Sequence, residues 1–247
     1  MTSRAHQSLT TPLLLVPGFW LGAWAWHGVV NALRARGHES VLPLTPAGQE
    51  RDDPRETQTS HSDQATWLLD RVHECAEPPV LVAHSGASFI ASGVLDASPD
   101  SVARVVYVDG GPLGDGATFD ASLPEEAAEL PLPRFEVLEQ TSSLAGLSDA
   151  QREEFRRRAV PQPGRVVREP LHLSNPARRR VPTTIIACSI PSEQIRSLAA
   201  AGHPMFAEVA ALTDLRLMDL PTGHWPMWSR PTELAELVSQ AVTRPNG

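Results

Sequence analysis

The chain has 247 residues, 41% of them hydrophobic and 20% charged, with a formal net charge of −8. That length suits one large α/β domain with a well-buried core, and the composition excludes collagen-like, disulfide-rich and generally disordered classes. The acidic balance gives nucleic-acid binding no electrostatic support. All 21 basic residues are arginine, which rules out Schiff-base or lysine-assisted chemistry on the side chains.

The polar stretch Met1 to Thr11 leads into an apolar run too short for a signal peptide or a membrane span, so a cytoplasmic protein is expected. Residues 13–16 (LLLV) read as a strand ending at Pro17-Gly18. Residues 24–36 have helical spacing, with Trp26, Val29, Val30 and Leu33 on one side and Gly37 as a stop. Residues 41–44 read as a second strand, 52–62 as loop and 63–77 as a helix. A short apolar strand at 80–83 is followed by a small-residue helix at 87–95 and another strand at 102–108. Strands at 182–188 and 215–220 and a helix at 231–242 complete the set. Strands that are apolar throughout and separated by helices predict a mostly parallel sheet of about six strands, with helices on both faces.

Residues 112–180 break this rhythm. They show no convincing strand, only a helix at 148–160. A stretch that long between two sheet strands reads as an insertion over the carboxyl ends of the strands, where ligands bind in open α/β sheets. Leu123, Leu130, Leu132, Phe135, Leu138 and Leu144 give it apolar surface to place. The expected organisation is a core of residues 1–111 and 181–247 and a cap of residues 112–180. Cys75 and Cys188 are expected as packed thiols. No spacing suggests a metal, and no cofactor is expected.

The strongest chemical signal is Leu81-Val82-Ala83-His84-Ser85-Gly86-Ala87-Ser88. An apolar strand runs directly into a serine and then a small-residue helix. A sharp strand-to-helix turn lifts a serine hydroxyl above the sheet edge and tolerates only small neighbours two residues away, here Ala83 and Ala87. The helix start adds a positive dipole and the Gly86 N–H for a developing oxyanion. An ordinary helix N-cap is the plainer reading of Ser85. His224, in Thr222-Gly223-His224-Trp225-Pro226, follows the last strand and is placed to act as general base. The turn at Pro17-Gly18-Phe19-Trp20 can aim the Phe19 N–H at the same point, making a second oxyanion donor.

These three pieces, in this order, resemble the α/β-hydrolase superfamily from Pro12 to Val242. The segment LLLVPGFWLGAWAW resembles the small branch containing methyl salicylate esterase-like enzymes and hydroxynitrile lyases, with Pro17-Gly18 where a His-Gly pair usually stands. The resemblance implies a cap after family strand six and a Ser–acid–His triad. The acid usually follows the seventh family strand, where this chain reads Cys188-Ser189-Ile190-Pro191-Ser192-Glu193. Some relatives take it from the end of the sixth, here Val108-Asp109-Gly110-Gly111. Asp109 is favoured over Glu193. The lyases of this branch use a lysine, and the chain has none.

The expected reaction is hydrolysis of an ester or lactone of a small apolar or aromatic substrate through an acyl-enzyme. Ser85, His224 and Asp109 are the expected triad, with Phe19 and Gly86 as oxyanion donors. Aromatic walls are expected from Phe19, Trp20, Trp24, Trp225 and Trp228, with Trp20 and Trp225 touching ligand. Two other readings stand beside this one: a non-hydrolytic enzyme on the same scaffold (lyase, cyclase, cofactor-free oxygenase or haloperoxidase), and a slow-turnover binding protein. The expected partner is a small-molecule substrate rather than nucleic acid or membrane, with the chain a monomer or homodimer.

Overall fold

A computed structural model describes residues 9–50 and 56–243; the polar stretch before Leu9 and the first part of the 52–62 loop lie outside them. The strands are β1 (Leu13–Val16), β2 (Val41–Pro43), β3 (Val80–His84), β4 (Arg104–Val108), β5 (Glu129–Leu130), β6 (Gln162–Pro163), β7 (Thr183–Ala187) and β8 (Leu215–Asp219). The helices are α1 (His27–Ala35), α2 (His61–His73), α3 (Ala87–Ala97), α4 (Phe135–Leu138), α5 (Asp149–Arg158), α6 (Gly164–Arg168), α7 (Ser192–Ala200), α8 (Ala207–Ala210), α9 (Pro226–Ser229) and α10 (Pro231–Val242).

Six strands form one parallel sheet in the order β2-β1-β3-β4-β7-β8. Successive side chains of a strand face opposite sides, and the two faces sort accordingly. Leu13, Leu15, Val82, Val106 and Ile186 pack with Val29 and Leu33 of α1 and Leu234 and Val238 of α10. Leu14, Val16, Leu81, Tyr107 and Ile185 pack with Leu68 and Val72 of α2 and Ile90 and Val94 of α3. Burying each such aliphatic side chain contributes about 1.5–3 kcal/mol. This is why the central strands β1, β3, β4 and β7 are buried along their whole length.

The chain goes outward from β1 to β2, then returns to place β3 on the other side of β1. Such a reversal opens a crevice at the carboxyl ends of the two central strands. The loop after β1 and the turn after β3 border it. Register carries the line onward: the Ser85 N–H donates to the Val108 carbonyl and the Asp109 N–H to the Ile186 carbonyl. The residues following β3, β4 and β7 thus lie side by side at one edge.

Helix α2 begins at His61, two residues before the predicted start. Ser60 caps it through a reciprocal pair: its Oγ accepts from the Asp63 N–H at 3.2 Å, and its N–H donates to Asp63 Oδ2 at 2.9 Å. Such a cap is worth about 1 kcal/mol. His61, which as a loop histidine would be solvated, is instead buried.

Segment 112–180 departs from expectation in holding a small antiparallel ladder, β5 with β6. Two-residue strands carry no readable alternation; long-range pairing makes them. The segment is tied to the body at several points. The Trp20 indole donates to the Leu130 carbonyl at 3.1 Å, and the Trp20 carbonyl accepts from the Val160 N–H at 3.2 Å. The His224 N–H donates to the Ser143 carbonyl at 2.8 Å, and the Arg158 guanidinium lies over the Trp24 ring. Both cysteines are free thiols. Among the described residues no helix is long and apolar enough to cross a membrane.

Candidate active site

Ser85 occupies the turn between β3 and α3 with φ 50°. Left-handed backbone at a non-glycine residue costs on the order of 1–3 kcal/mol and persists only where surrounding structure enforces it. Three non-glycine residues adopt positive φ among the described residues: Ser85, Asp109 at 44° and Trp20 at 66°. They follow β3, β4 and β1 in turn, so all three lie at the carboxyl edge of the sheet.

His224 Nε2 lies 2.7 Å from Ser85 Oγ, and His224 Nδ1 lies 2.5 Å from Asp109 Oδ2. Serine hydroxyl, imidazole and carboxylate therefore stand in one hydrogen-bonded line. An ionised carboxylate only accepts, so Nδ1–H is the donor and Nε2 is left facing the hydroxyl. The carboxylate on His224 is Asp109, whereas Glu193 sits in the first turn of α7.

Asp109 is held from a second side. Its Oδ1 accepts from the Cys188 N–H at 3.1 Å and the Ser189 N–H at 2.8 Å, and the Ser189 hydroxyl reaches both carboxylate oxygens. Burial pushes the carboxyl pKa up, but the His224 hydrogen bond and charge and the Ser189 donors outweigh it and bring it down to about 2. The group is a fixed anion. Burial and the Asp109 charge drive the neighbouring Cys188 thiol the other way, far above its ordinary value, so it remains a thiol. No sequence motif marks Ser189 as part of the site; the pairing of β4 with β7 brings it there.

Phe19 and Gly86 meet across the crevice. A Cβ on Gly86 would run into the Phe19 ring, so any larger residue there would have to displace that ring. No backbone acceptor among the described residues takes up the N–H of Phe19 or of Gly86.

Above Ser85 opens a pocket of about 560 Å³. Phe19, Trp20, Phe119, Leu130, Leu138 and Trp225 give it apolar walls, and Gln140, Thr141 and Ser142 line it too. The Trp225 ring stands edge-on to His224 at 5.0 Å. Trp24 and Trp228, expected as walls, do not line it; they stack on each other with centroids 5.5 Å apart. Phe119 and the residues from 130 to 142 belong to the long segment, which thereby supplies much of the enclosure. Among the described residues no group of three or more His, Cys, Asp or Glu side chains is gathered to hold a metal ion.

The profile of the alpha/beta hydrolase family matches residues 13–237. The chain belongs to that family. It is similar to esterase PIR7B of Oryza sativa subsp. japonica, 36% identical over 99 residues that make up 38% of this chain and 37% of the relative. It is also similar to the carbendazim hydrolyzing esterase of Nocardioides sp. (strain SG-4G), 26% identical over 251 residues covering 90% of this chain and 96% of that protein. Among solved structures it resembles an extracellular α/β-hydrolase from a Paenibacillus species, described as homologous to tobacco salicylic acid binding protein 2. The TM-score is 0.75 at 20% identity, covering 95% of this chain and 100% of that one.

Proposed function

We propose that this chain is a carboxylic ester hydrolase acting on small, largely apolar or aromatic esters through an acyl-enzyme on Ser85. The observation that carries this reading is the unbroken line from Ser85 Oγ through His224 to Asp109 at the floor of the pocket. His224 Nε2 takes the Ser85 proton as Oγ attacks the ester carbonyl. The Phe19 and Gly86 N–H groups hold the oxyanion, each such donor being worth roughly 3–4 kcal/mol in the transition state. Asp109 orients the imidazole and stabilises its charged form without taking the proton. His224 then protonates the leaving alkoxide, activates water against the acyl-enzyme and returns the proton to Ser85. Residues 112–180 act as the cap of this site, and the apolar walls favour uncharged ring or alkyl groups. The esterase names of the two curated relatives support the reaction class.

Burst kinetics with p-nitrophenyl acetate test this reading. Wild type should release one equivalent of nitrophenol per Ser85 ahead of steady turnover, and Ser85→Ala should show neither phase. Equal turnover in the variant would refute it.

A further inference from the structure

His84 stands outside the proton path, yet it touches both halves of the machinery. It is fully enclosed at the end of β3, 1% exposed. Its Nε2 lies 2.7 Å from the backbone carbonyl oxygen of His224. Its Nδ1 lies 3.2 Å from the backbone nitrogen of Gly18. The first partner can only accept and the second can only donate. Nε2 must therefore carry the proton and Nδ1 must be bare, so the two bonds select one neutral tautomer.

The balance of effects around the ring favours that state. Burial, and then the nearby His224, bring its pKa down to about 3, against weaker opposing effects of the His224 carbonyl and Asp109. A second proton would turn Nδ1 into a donor facing the Gly18 N–H. It would also place a cation 5.1 Å, ring to ring, from the imidazole that must become positive during turnover. The approach to Gly18 is close: a Cβ there would fall 2.9 Å from both His84 Nδ1 and Ser85 Cβ. The bond also occupies the Gly18 N–H, leaving that of Phe19 as the next donor along the turn.

We propose that His84 is a positioning residue: a tautomer-locked strut joining the Gly18–Phe19 turn to the His224 loop, so that the oxyanion donors and the base keep one spacing about Ser85. The strut rests on the hydrolytic reading above. The ring borders the pocket but is only 1% exposed, so it acts through its two bonds rather than by contact with the ester.

The test compares wild type, His84→Leu and His84→Gln by p-nitrophenyl acetate kinetics, inhibition by phenylboronic acid and inhibition by p-cresol. The boronate forms a tetrahedral adduct on the serine; p-cresol only fills the pocket. His84→Leu should lower kcat by at least about tenfold with KM nearly unchanged. It should weaken the boronate by a similar factor and leave p-cresol alone. Glutamine presents an acceptor and a donor side by side, and His84→Gln should recover kcat to within about threefold of wild type. The proposal is overturned if His84→Leu keeps wild-type kcat, if p-cresol binding weakens as much as the boronate, or if a stably folded His84→Gln is as slow as the leucine variant. Should His84→Leu not fold, His84→Asn replaces it: its shorter amide spans only one partner, so it should be slow where His84→Gln is fast, and equal rates contradict the strut. Wild-type protein without Ser85-dependent turnover would overturn the hydrolase reading and the strut with it.

Discussion

The hydroxyl of Ser189 lies 2.9 and 2.7 Å from the two carboxylate oxygens of Asp109. Ser189 follows β7 and Asp109 follows β4, neighbouring strands in the sheet. The loop after β7 thus supplies donors to a carboxylate carried by the strand beside it. A hydrogen bond to a charged group is worth about 1.5–3 kcal/mol. Ser189→Ala keeps the backbone donors and should lower kcat by about tenfold, measured on any chromogenic ester.

Asp109→Asn removes the charge while keeping the shape. The amide can leave His224 in the wrong tautomer, and kcat should fall by about 10⁴-fold. Glu193→Gln, in the first turn of α7, should leave kcat within twofold. Parallel steady-state kinetics on both variants check the assignment of the acid.

Acid should destabilise the fold through its buried histidines. The His61 ring lies parallel to Phe89 with centroids 4.7 Å apart, and burial lowers its pKa from 6.5 to about 4. The unfolded chain takes up this proton from about pH 6.5 downward, whereas the folded chain resists until about pH 4. Stability therefore falls with pH across that window and levels below it. His84, held down to about 3, extends the decline. Asp109 adds stability that is lost as pH falls from its ordinary value toward about 2. Melting temperature should drop between pH 7 and 4, and His61→Phe, which keeps the ring stack without the proton, should flatten that slope.

Trp20 both lines the pocket and ties the long segment at two points. Trp20→Phe keeps an aromatic wall but removes the indole donor to the Leu130 carbonyl. It should cost about 1 kcal/mol of stability and raise KM more than it lowers kcat. Calorimetry and steady-state kinetics on the same preparation separate the two effects.

The four central strands β1, β3, β4 and β7 were readable because each is buried along its whole length, whereas the edge strands β2 and β8 are partly exposed and stood out by their place between helices. The ends of elements were less so: α2 starts where Ser60 and Asp63 satisfy each other, two residues ahead of the first periodic position. Ser85 and His224 carry local signatures, a strand–turn–helix and a post-strand loop. Asp109 could be singled out only by its place at a strand end. Ser189 and the pocket residues from 119 to 142 lack any such pattern, because their positions come from how the long segment docks. His84 stood in the motif itself, yet its two partners lie 66 and 140 residues away in sequence.

The most direct test of the account is fluorophosphonate labelling followed by mass analysis. Wild type should gain one adduct, located on Ser85, and lose esterase turnover in step with labelling. Ser85→Ala should take up none, and His224→Ala should react far more slowly. An adduct on a different residue, or turnover that survives full labelling of Ser85, would contradict it.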